Sequence, residues 1–260
     1  MRYLAYEVDA NAPHMSPHPP APIERLLIVS GAGISADSGI PTFRGPGGYW
    51  RNMDPTRLAT PEAFAADPAL VWAWYRERRA GIRAAAPNPA HEAVVQLART
   101  VPQCLVVTQN VDDLHLRARW QGQALLPESL VQVHGDIFIT RCSRCDARQA
   151  AADDEAGVPA CGGCGAPMRP GVVWFGESLD PLQIDRVERF LSAGPCDAVI
   201  VVGTTAVFGY IVDWAVSACE GSGPLIEVNP AATELSRYAT ETIRASASEA
   251  LPQLAARLLG

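Results

Sequence analysis

The chain has 260 residues, 48% of them hydrophobic and 19% charged, so it can bury a sizeable core as one domain or as a domain with an added module. No apolar run approaches the roughly 20 residues of a membrane-spanning helix, and we expect no membrane partner. The net charge of −7 argues against direct nucleic-acid binding, which requires a basic surface. No basic-then-apolar signal sequence opens the chain, so we expect a cytoplasmic protein.

The N-terminal segment 1–22 contains many prolines between residues 11 and 22. Proline has no amide hydrogen and a restricted φ, so this stretch cannot form a helix or a central strand. We expect a flexible tail. Its two histidines, His14 and His18, fit a solvated tail better than a metal site.

The apolar run from Leu26 to Val29 predicts a buried strand that leads into a turn with Gly31 and Gly33. A strand, a small-residue turn and a helix start are how α/β folds build a phosphate site from backbone N–H groups. Ala36 takes the third position of the G-x-G-x-x-G pattern, where alanine still allows close packing. On its own, the pattern also fits an ordinary tight turn.

Further apolar runs predict strands at 103–107, 130–133, 198–202 and 224–228. Each is followed by polar or small residues, and open α/β sheets bind their ligands at the carboxyl ends of the strands. A polar loop with a helix cap is the alternative after the strand at 103–107. Because predicted helices lie between the strands, we predict an α/β fold with a doubly wound parallel sheet.

Four of the seven cysteines form two Cys-x-x-Cys pairs: Cys142 with Cys145, and Cys161 with Cys164. Two such turns bring four thiolates to one ion in a tetrahedron, which leaves no open coordination position. A redox pair is the alternative, but it needs only one Cys-x-x-Cys at a helix start. The sequence therefore predicts one structural Zn²⁺.

The segment 31–45, GAGISADSGIPTFRG, resembles the cofactor-binding segment of the sirtuins, the NAD-dependent protein deacylases. Other segments that resemble this family follow in its order, at 108–115, 134–136, the two cysteine pairs, 169–177, 202–205 and 227–230. The resemblance implies a Rossmann-like NAD-binding domain made of 23–45, 91–136 and 169–260. It also implies a small inserted module, made of a helical part at 46–90 and a zinc ribbon at 137–168.

The resemblance implies that NAD is a co-substrate and that many residues of these segments bind it. They are Gly31, Ala32, Gly33, Ala36, Asp37, Thr42, Phe43, Arg44, Gln109, Asn110, Asp112, Gly203, Thr204, Thr205, Asn229, Pro230 and Ala247. Within this set, Asn110 would position the ribose hydroxyls and Asp112 would hold the nicotinamide carboxamide. The glycine-rich stretch 46–51 is expected to form a flexible loop over the cofactor.

His134 follows the short strand at 130–133, and the resemblance implies that it is the catalytic base, with Asn110 as a second catalytic residue. An unperturbed histidine pKa near 6.5 suits proton transfer near neutrality. A lone histidine is otherwise more often structural. The resemblance thus carries this assignment.

Tyr75 and Arg78 lie three residues apart on a predicted helix and share one of its faces. By themselves they fit a packed aromatic ring beside a solvated arginine. Within the resemblance, this Tyr-x-x-Arg pattern matches the sirtuin subgroup that removes succinyl and malonyl groups, in which the pair holds the acyl carboxylate. A guanidinium and a phenol can both donate hydrogen bonds to a carboxylate.

The segment Arg169 to Glu177 is expected to return to the main sheet as a strand. By resemblance it pairs with the substrate peptide, and four of its residues wall the acyl-lysine tunnel: Val173, Trp174, Phe175 and Gly176. A plain buried strand is the alternative.

The chain departs from the family pattern at Thr205, where serine is usual, and at 208–210, where a proline is missing. Because threonine keeps the hydroxyl, we expect the cofactor contact to remain.

We therefore predict an NAD-dependent lysine deacylase that removes acetyl and also succinyl or malonyl groups, with nicotinamide and O-acyl-ADP-ribose as products. Acyl-lysine proteins or peptides would be its substrates, and the protein would act as a monomer. The alternatives are a mono-ADP-ribosyltransferase and a non-catalytic NAD sensor. A dehydrogenase is disfavoured, because no acidic ribose partner is placed for it.

Overall fold

The computed structural model of this chain describes residues 22–42, 57–151, 157–219 and 223–260. Most of the predicted tail, residues 1–21, lies outside the described residues, as do Phe43, Arg44 and the predicted loop at 46–51.

Strands and helices alternate along most of the described chain. The strands are β1 (Arg25–Ser30), β2 (Gln103–Thr108), β3 (Leu130–Gln132), β4 (Gly135–Cys142), β5 (Arg148–Ala150), β6 (Met168–Val172), β7 (Ala198–Val202), β8 (Leu225–Val228) and β9 (Glu241–Ile243). The α-helices are α1 (Pro61–Ala66), α2 (Pro68–Ala84), α3 (Pro89–Thr100), α4 (Leu114–Arg117), α5 (Pro181–Ser192), α6 (Gly209–Ala218) and α7 (Ala247–Leu259).

The larger sheet has the strand order β3-β2-β1-β7-β8-β9, and each neighbouring pair is parallel. The chain builds outward from β1 to β3 on one side and from β7 to β9 on the other. The order therefore reverses between β1 and β7, and this reversal creates a crevice at the carboxyl ends of the two strands.

Both faces of this sheet are covered by helices, as predicted for a doubly wound fold. The side chains of β1 alternate, so that Leu26 and Ile28 join the core under α3 and α7. Leu27 and Val29 join the opposite core, under α5 and α6. All six residues of β1 are buried, as expected for a central strand that is covered on both sides.

The smaller sheet pairs β4 with β5 and β6 in antiparallel fashion. The prediction that the segment from Arg169 returns to the main sheet is therefore wrong, because β6 pairs with β4 instead. Cys142 at the end of β4 lies opposite Met168 at the start of β6, so the cysteine turns join these two strands. Helices α1 and α2 pack on this sheet in a separate apolar cluster around Trp72, Ile137 and Trp174.

The predicted helix starts are confirmed for α1 and α2. Thr60 Oγ1 accepts a hydrogen bond from Ala63 N at 3.1 Å, and Asp67 Oδ1 accepts one from Leu70 N at 2.9 Å. Proline follows each cap, where its missing N–H costs no helical hydrogen bond. After β1 the predicted helix is a short 3-10 helix, Ala32–Ser38, which ends at Gly39 with a φ of 83°.

Across the four described ranges, every helix is too short or too polar to span a bilayer.

Leu254 on α7 is 2% exposed and packs in the core between α3, α7 and the main sheet. We expect Leu254→Ala to lower the free energy of unfolding by about 2–5 kcal/mol, through lost burial and the cavity left behind. The neighbouring Gln253 is exposed, so Gln253→Ala should change the free energy of unfolding by less than about 0.5 kcal/mol. Urea unfolding followed by circular dichroism measures both, and equal losses in the two variants would contradict this packing.

Candidate functional site

The turns after β1 and β7 touch through their glycines. Gly31 N donates to Val202 O at 3.0 Å, and Gly33 N donates to Gly203 O at 2.7 Å. A Cβ atom added at Gly33 would lie 2.7 Å from the Gly203 Cα, so no side chain fits there. Gly203 itself has a φ of 63°, which glycine adopts without strain.

A cavity of about 420 Å³ opens at this point, on the carboxyl edge of the main sheet and against the smaller one. Most of the residues that the sequence predicted for cofactor, base and substrate line this single cavity. They are Gly31, Ala32, Gly33, Thr42, Gln109, Asn110, His134, Gly203, Thr204, Thr205 and Asn229, together with Tyr75, Arg78, Val173, Trp174, Phe175 and Gly176.

Among the predicted cofactor residues that the structure describes, five do not line the cavity. Ala36 and Asp37 belong to the 3-10 helix, and the Asp37 carboxylate accepts a hydrogen bond from Ser248 on α7, one residue after Ala247. Pro230 follows the lining residue Asn229, and Asp112 is buried behind Asn110. The structure thus places Ala36, Asp37 and Ala247 together near the start of α7, outside the cavity lining.

Asn110 and Asp112 are both held by Ser35, which the sequence reasoning did not select. Asn110 Nδ2 donates to Ser35 Oγ at 3.1 Å, and Ser35 Oγ donates to Asp112 Oδ2 at 3.0 Å. Leu114 N donates to the other Asp112 oxygen at 3.1 Å, and burial raises the pKa of this carboxyl. The network orients the Asn110 amide at the cavity wall.

His134 lies between β3 and β4, where the chain leaves the main sheet for the smaller one. Its Nδ1 is 2.9 Å from Gln109 O, and its Nε2 is 2.7 Å from Tyr210 Oη. Because a carbonyl oxygen can only accept, Nδ1 carries the hydrogen and Nε2 presents a lone pair. Burial lowers the pKa of His134, which keeps the imidazole neutral and therefore able to accept a proton.

The loop after β7 is fixed by side chains from neighbouring strands. Gln109 Nε2 donates to Thr204 Oγ1 at 3.0 Å, and Asn229 Nδ2 donates to Thr204 O at 2.8 Å. These bonds join the ends of β2, β7 and β8 along one rim of the cavity. Thr205, the departure from the family pattern, lies on the same rim.

The opposite wall comes from α2 and from the segment after β6. Tyr75 is 1% exposed, and its hydroxyl accepts a hydrogen bond from Trp174 Nε1 at 2.9 Å. Arg78 is 6% exposed, and its guanidinium carbon lies 4.7 Å from the ring centroid of Trp74. A solvated surface arginine does not fit this burial. The helix presents Tyr75 and Arg78 to the same cavity as His134.

Glu177, which also lines the cavity, is held by groups outside it. Arg169 Nη2 donates to its Oε2 at 2.9 Å, and Arg141 forms a second ion pair at 3.2 Å. Burial acts to raise the pKa of Glu177, but hydrogen bonds from Arg169 and Trp174 N outweigh it and hold this pKa below its usual value. The carboxylate therefore stays charged and paired with the two arginines.

Several lining residues were not predicted as site residues. They are Ala59, Val111, Val172, Glu177, Leu179, Val207, Phe208 and Tyr210. Of these, Phe208 and Tyr210 could have been found, since they lie where the sequence departs from the family pattern.

The four predicted zinc ligands lie together, with all their Sγ atoms within 4.8 Å of one another. Cys142 Sγ is 3.5 Å from Cys164 Sγ, and Cys145 Sγ is 3.7 Å from Cys161 Sγ. A tetrahedral zinc–thiolate site with bonds of about 2.3 Å has sulfur separations of about 3.8 Å, so the cluster fits one structural Zn²⁺. Hydrogen bonds from the backbone N–H groups of Arg144 and Cys145 lower the pKa of Cys142 to about 6, which favours the thiolate.

The family model described as the Sir2 family matches residues 31–208, which is more than half of the chain. The chain belongs to the Sir2 family. The resemblance to sirtuins is therefore confirmed, and the matched range contains the glycine turns, His134 and the four cysteines.

Similar proteins cover nearly the whole of this Sir2-family chain. An NAD-dependent protein deacylase of Methylococcus capsulatus is 41% identical over 88% of this chain and 90% of its own length. NAD-dependent protein deacylase 1 of Pseudomonas aeruginosa is 40% identical over 90% of this chain and 94% of its own length.

Solved structures share the fold. The crystal structure of a Sir2 homolog–NAD complex has a TM-score of 0.80 and 38% identity, over 91% of this chain and 90% of that one. A structure titled Sir2-p53 peptide-NAD+ has a TM-score of 0.76 and 26% identity, over 90% of this chain and 93% of that one.

We expect Cys161→Ser to lose most of the bound zinc and to unfold at lower temperature, because the metal joins the ends of β4 and β6. Cys219→Ser changes a cysteine outside the cluster and should keep one zinc per chain. Metal analysis by plasma mass spectrometry, together with thermal melting, checks both. Full zinc content in the Cys161 variant would contradict the assignment.

Proposed function

We propose that this chain, a Sir2-family NAD-dependent protein deacylase, removes succinyl and malonyl groups from lysine as well as acetyl groups. The observation that carries the proposal is the burial of Tyr75 and Arg78 in the wall of the cavity that contains His134. The names of the relatives support deacylation with NAD, and the peptide complex of the p53-titled structure supports a protein or peptide substrate.

Tyr75 and Arg78 have the chemistry to bind an acyl carboxylate. The Trp174 indole N–H can only donate, so the Tyr75 hydroxyl is the acceptor of the hydrogen bond between Trp174 and Tyr75. The hydroxyl therefore keeps its own hydrogen, which it can donate to a second acceptor. Arg78 adds a positive charge and a planar set of N–H donors in a largely apolar wall, where an ion pair is stronger than in water. Both are anchored by rings, since the Arg78 guanidinium lies over Trp74 and Tyr75.

Glu177 supports the same specificity. Among the described residues that line the cavity it is the acidic one, and its charge is already balanced by Arg169 and Arg141. Repulsion of a second carboxylate is therefore weakened. Val173, Trp174 and Phe175 leave the rest of this wall apolar, which suits the hydrocarbon part of an acyl-lysine.

The residues on the other side of the cavity fit NAD. The glycine turns pack so closely that a Cβ atom would clash, and this holds the ends of β1 and β7 together at the edge of the sheet where open α/β folds bind dinucleotides. We assign the dinucleotide to these turns, to the rim formed by Gln109, Thr204 and Asn229, and to Asn110. When bound, NAD supplies the ribose that takes over the acyl group as nicotinamide leaves.

In this proposal, His134 is the base that accepts a proton from a ribose hydroxyl at Nε2. Gln109 O fixes the tautomer and the ring orientation. Asn110, oriented by Ser35, holds the ribose hydroxyls in line with the base. The apolar wall excludes water, which would otherwise compete for the reacting sugar.

The acyl preference is tested on one peptide that carries acetyl-, succinyl- or malonyl-lysine in turn, incubated with NAD and followed by mass spectrometry. We expect Arg78→Met to lower kcat/KM for the succinyl and malonyl peptides by about 10²-fold, the loss of a charged hydrogen bond, and to change deacetylation much less. His134→Ala should abolish all three reactions.

Arg76→Met is the matched control, because it removes the same charge from α2 at a residue outside the cavity lining. It should leave all three rates within about twofold of the wild type. Removal of acetyl but never of succinyl by the wild type would end the proposed specificity. Transfer of ADP-ribose mass to the peptide, instead of acyl loss, would favour a transferase.

The fall in kcat/KM at acid pH should follow the protonation of His134. Because burial lowers its pKa from 6.5, the base stays neutral to a lower pH, and activity is lost only as the pH falls through this lowered value. We therefore expect the acid limb of kcat/KM for deacetylation to lie below pH 6.5. A profile between pH 5 and 9 measures it, and a limb near pH 7.5 would disagree with a buried, neutral base.

A further inference from the structure

The lone pair with which His134 could accept a proton already accepts a hydrogen bond from Tyr210. Nδ1 donates to Gln109 O at 2.9 Å, so the available lone pair is on Nε2. The Tyr210 hydroxyl, at 2.7 Å, is the donor to that lone pair. An imidazole nitrogen has a single lone pair in the ring plane, and it cannot accept a second strong hydrogen bond at the same time.

The phenol is held in this position by packing. Tyr210 is the second residue of α6, and its ring stacks on Phe208 with centroids 5.7 Å apart and an interplanar angle of 17°. On its other side it packs against Trp214, with centroids 5.0 Å apart. Burial raises the pKa of Tyr210 to about 12, so it keeps its proton at neutral pH and remains a donor.

Phe208 also contacts the base directly. Its ring meets the His134 ring edge to face, with centroids 5.7 Å apart. Both Phe208 and Tyr210 line the cavity, and both come from the loop and helix start where the chain lacks the proline of the family pattern. This local sequence change thus brings a phenol to the acceptor nitrogen of His134.

We propose that Tyr210 is a positioning residue that caps Nε2 of His134 and must be displaced before His134 can act. This inference rests on the proposed role of His134 as the base. In the exchange, the hydrogen bond from Tyr210 Oη to Nε2 breaks, and one from a ribose hydroxyl to Nε2 forms. Tyr210 keeps its proton throughout, so it sets the access of the substrate to the base without taking part in proton transfer.

The cap is tested first on the protein without NAD, through the reactivity of His134. Diethyl pyrocarbonate modifies the unprotonated nitrogen of a neutral imidazole, and peptide mass spectrometry measures the modification of each histidine separately. We expect His134 to react about fivefold faster in Tyr210→Phe than in the wild type, the factor for one net hydrogen bond. The buried His91 and His115 serve as internal references whose rates should not change.

Tyr238→Phe is the matched control, because it removes a phenolic hydroxyl from an exposed tyrosine outside the cavity lining. It should leave the labelling of His134 at the wild-type rate. Tyr210→Leu lacks both ring and hydroxyl, and it should label at least as fast as Tyr210→Phe. Unchanged labelling in both Tyr210 variants would overturn the proposal.

Kinetics with an acetyl-lysine peptide give the second measurement. If Tyr210 only competes for the base, Tyr210→Phe should lower KM for NAD several-fold and keep kcat. A tenfold fall in kcat at unchanged KM would instead make the phenol part of the proton transfer and would overturn the proposal. If the wild type removes no acyl group, the proposed function fails, while the labelling experiment still decides whether Tyr210 caps His134.

Discussion

The contact between Gly33 and Gly203 is the constraint on which the arrangement of the site depends. It joins the turns after β1 and β7 at 2.7 Å, at the place where the strand order of the sheet reverses. Neighbouring loops diverge from such a point and leave a crevice. Gln109, Thr204 and Asn229 then join the strand ends along one rim. The opposite wall comes from the smaller sheet and α2.

His134 connects these two parts of the molecule. The chain leaves the main sheet at β3 and enters the smaller sheet at β4, with His134 between them and its backbone carbonyl bonded to Val173 N at 2.8 Å. The four clustered cysteines join the far ends of β4 and β6, the strands whose other ends lead to the cavity wall. A structural ion thus supports the cavity wall that faces His134.

The sequence was sufficient for the features that depend on local pattern. The buried runs of β1, β2, β7 and β8, the caps of α1 and α2, and the four cysteines all appear where they were predicted. The prediction for β6 was wrong, because the sequence of a short strand does not indicate which sheet the strand joins. That choice appears only in the antiparallel pairing with β4, in which Cys142 lies opposite Met168.

The family, the doubly wound sheet and the chemistry of the motifs follow from the amino-acid sequence, since strand runs, glycine turns and cysteine spacing are local and carry their own physical meaning. The folded structure was needed to show which of those residues share one cavity. It buried Arg78, placed Ser35 between Asn110 and Asp112, and brought Tyr210 to His134 across 76 positions of sequence. Such contacts depend on how distant elements pack, and no local pattern encodes them.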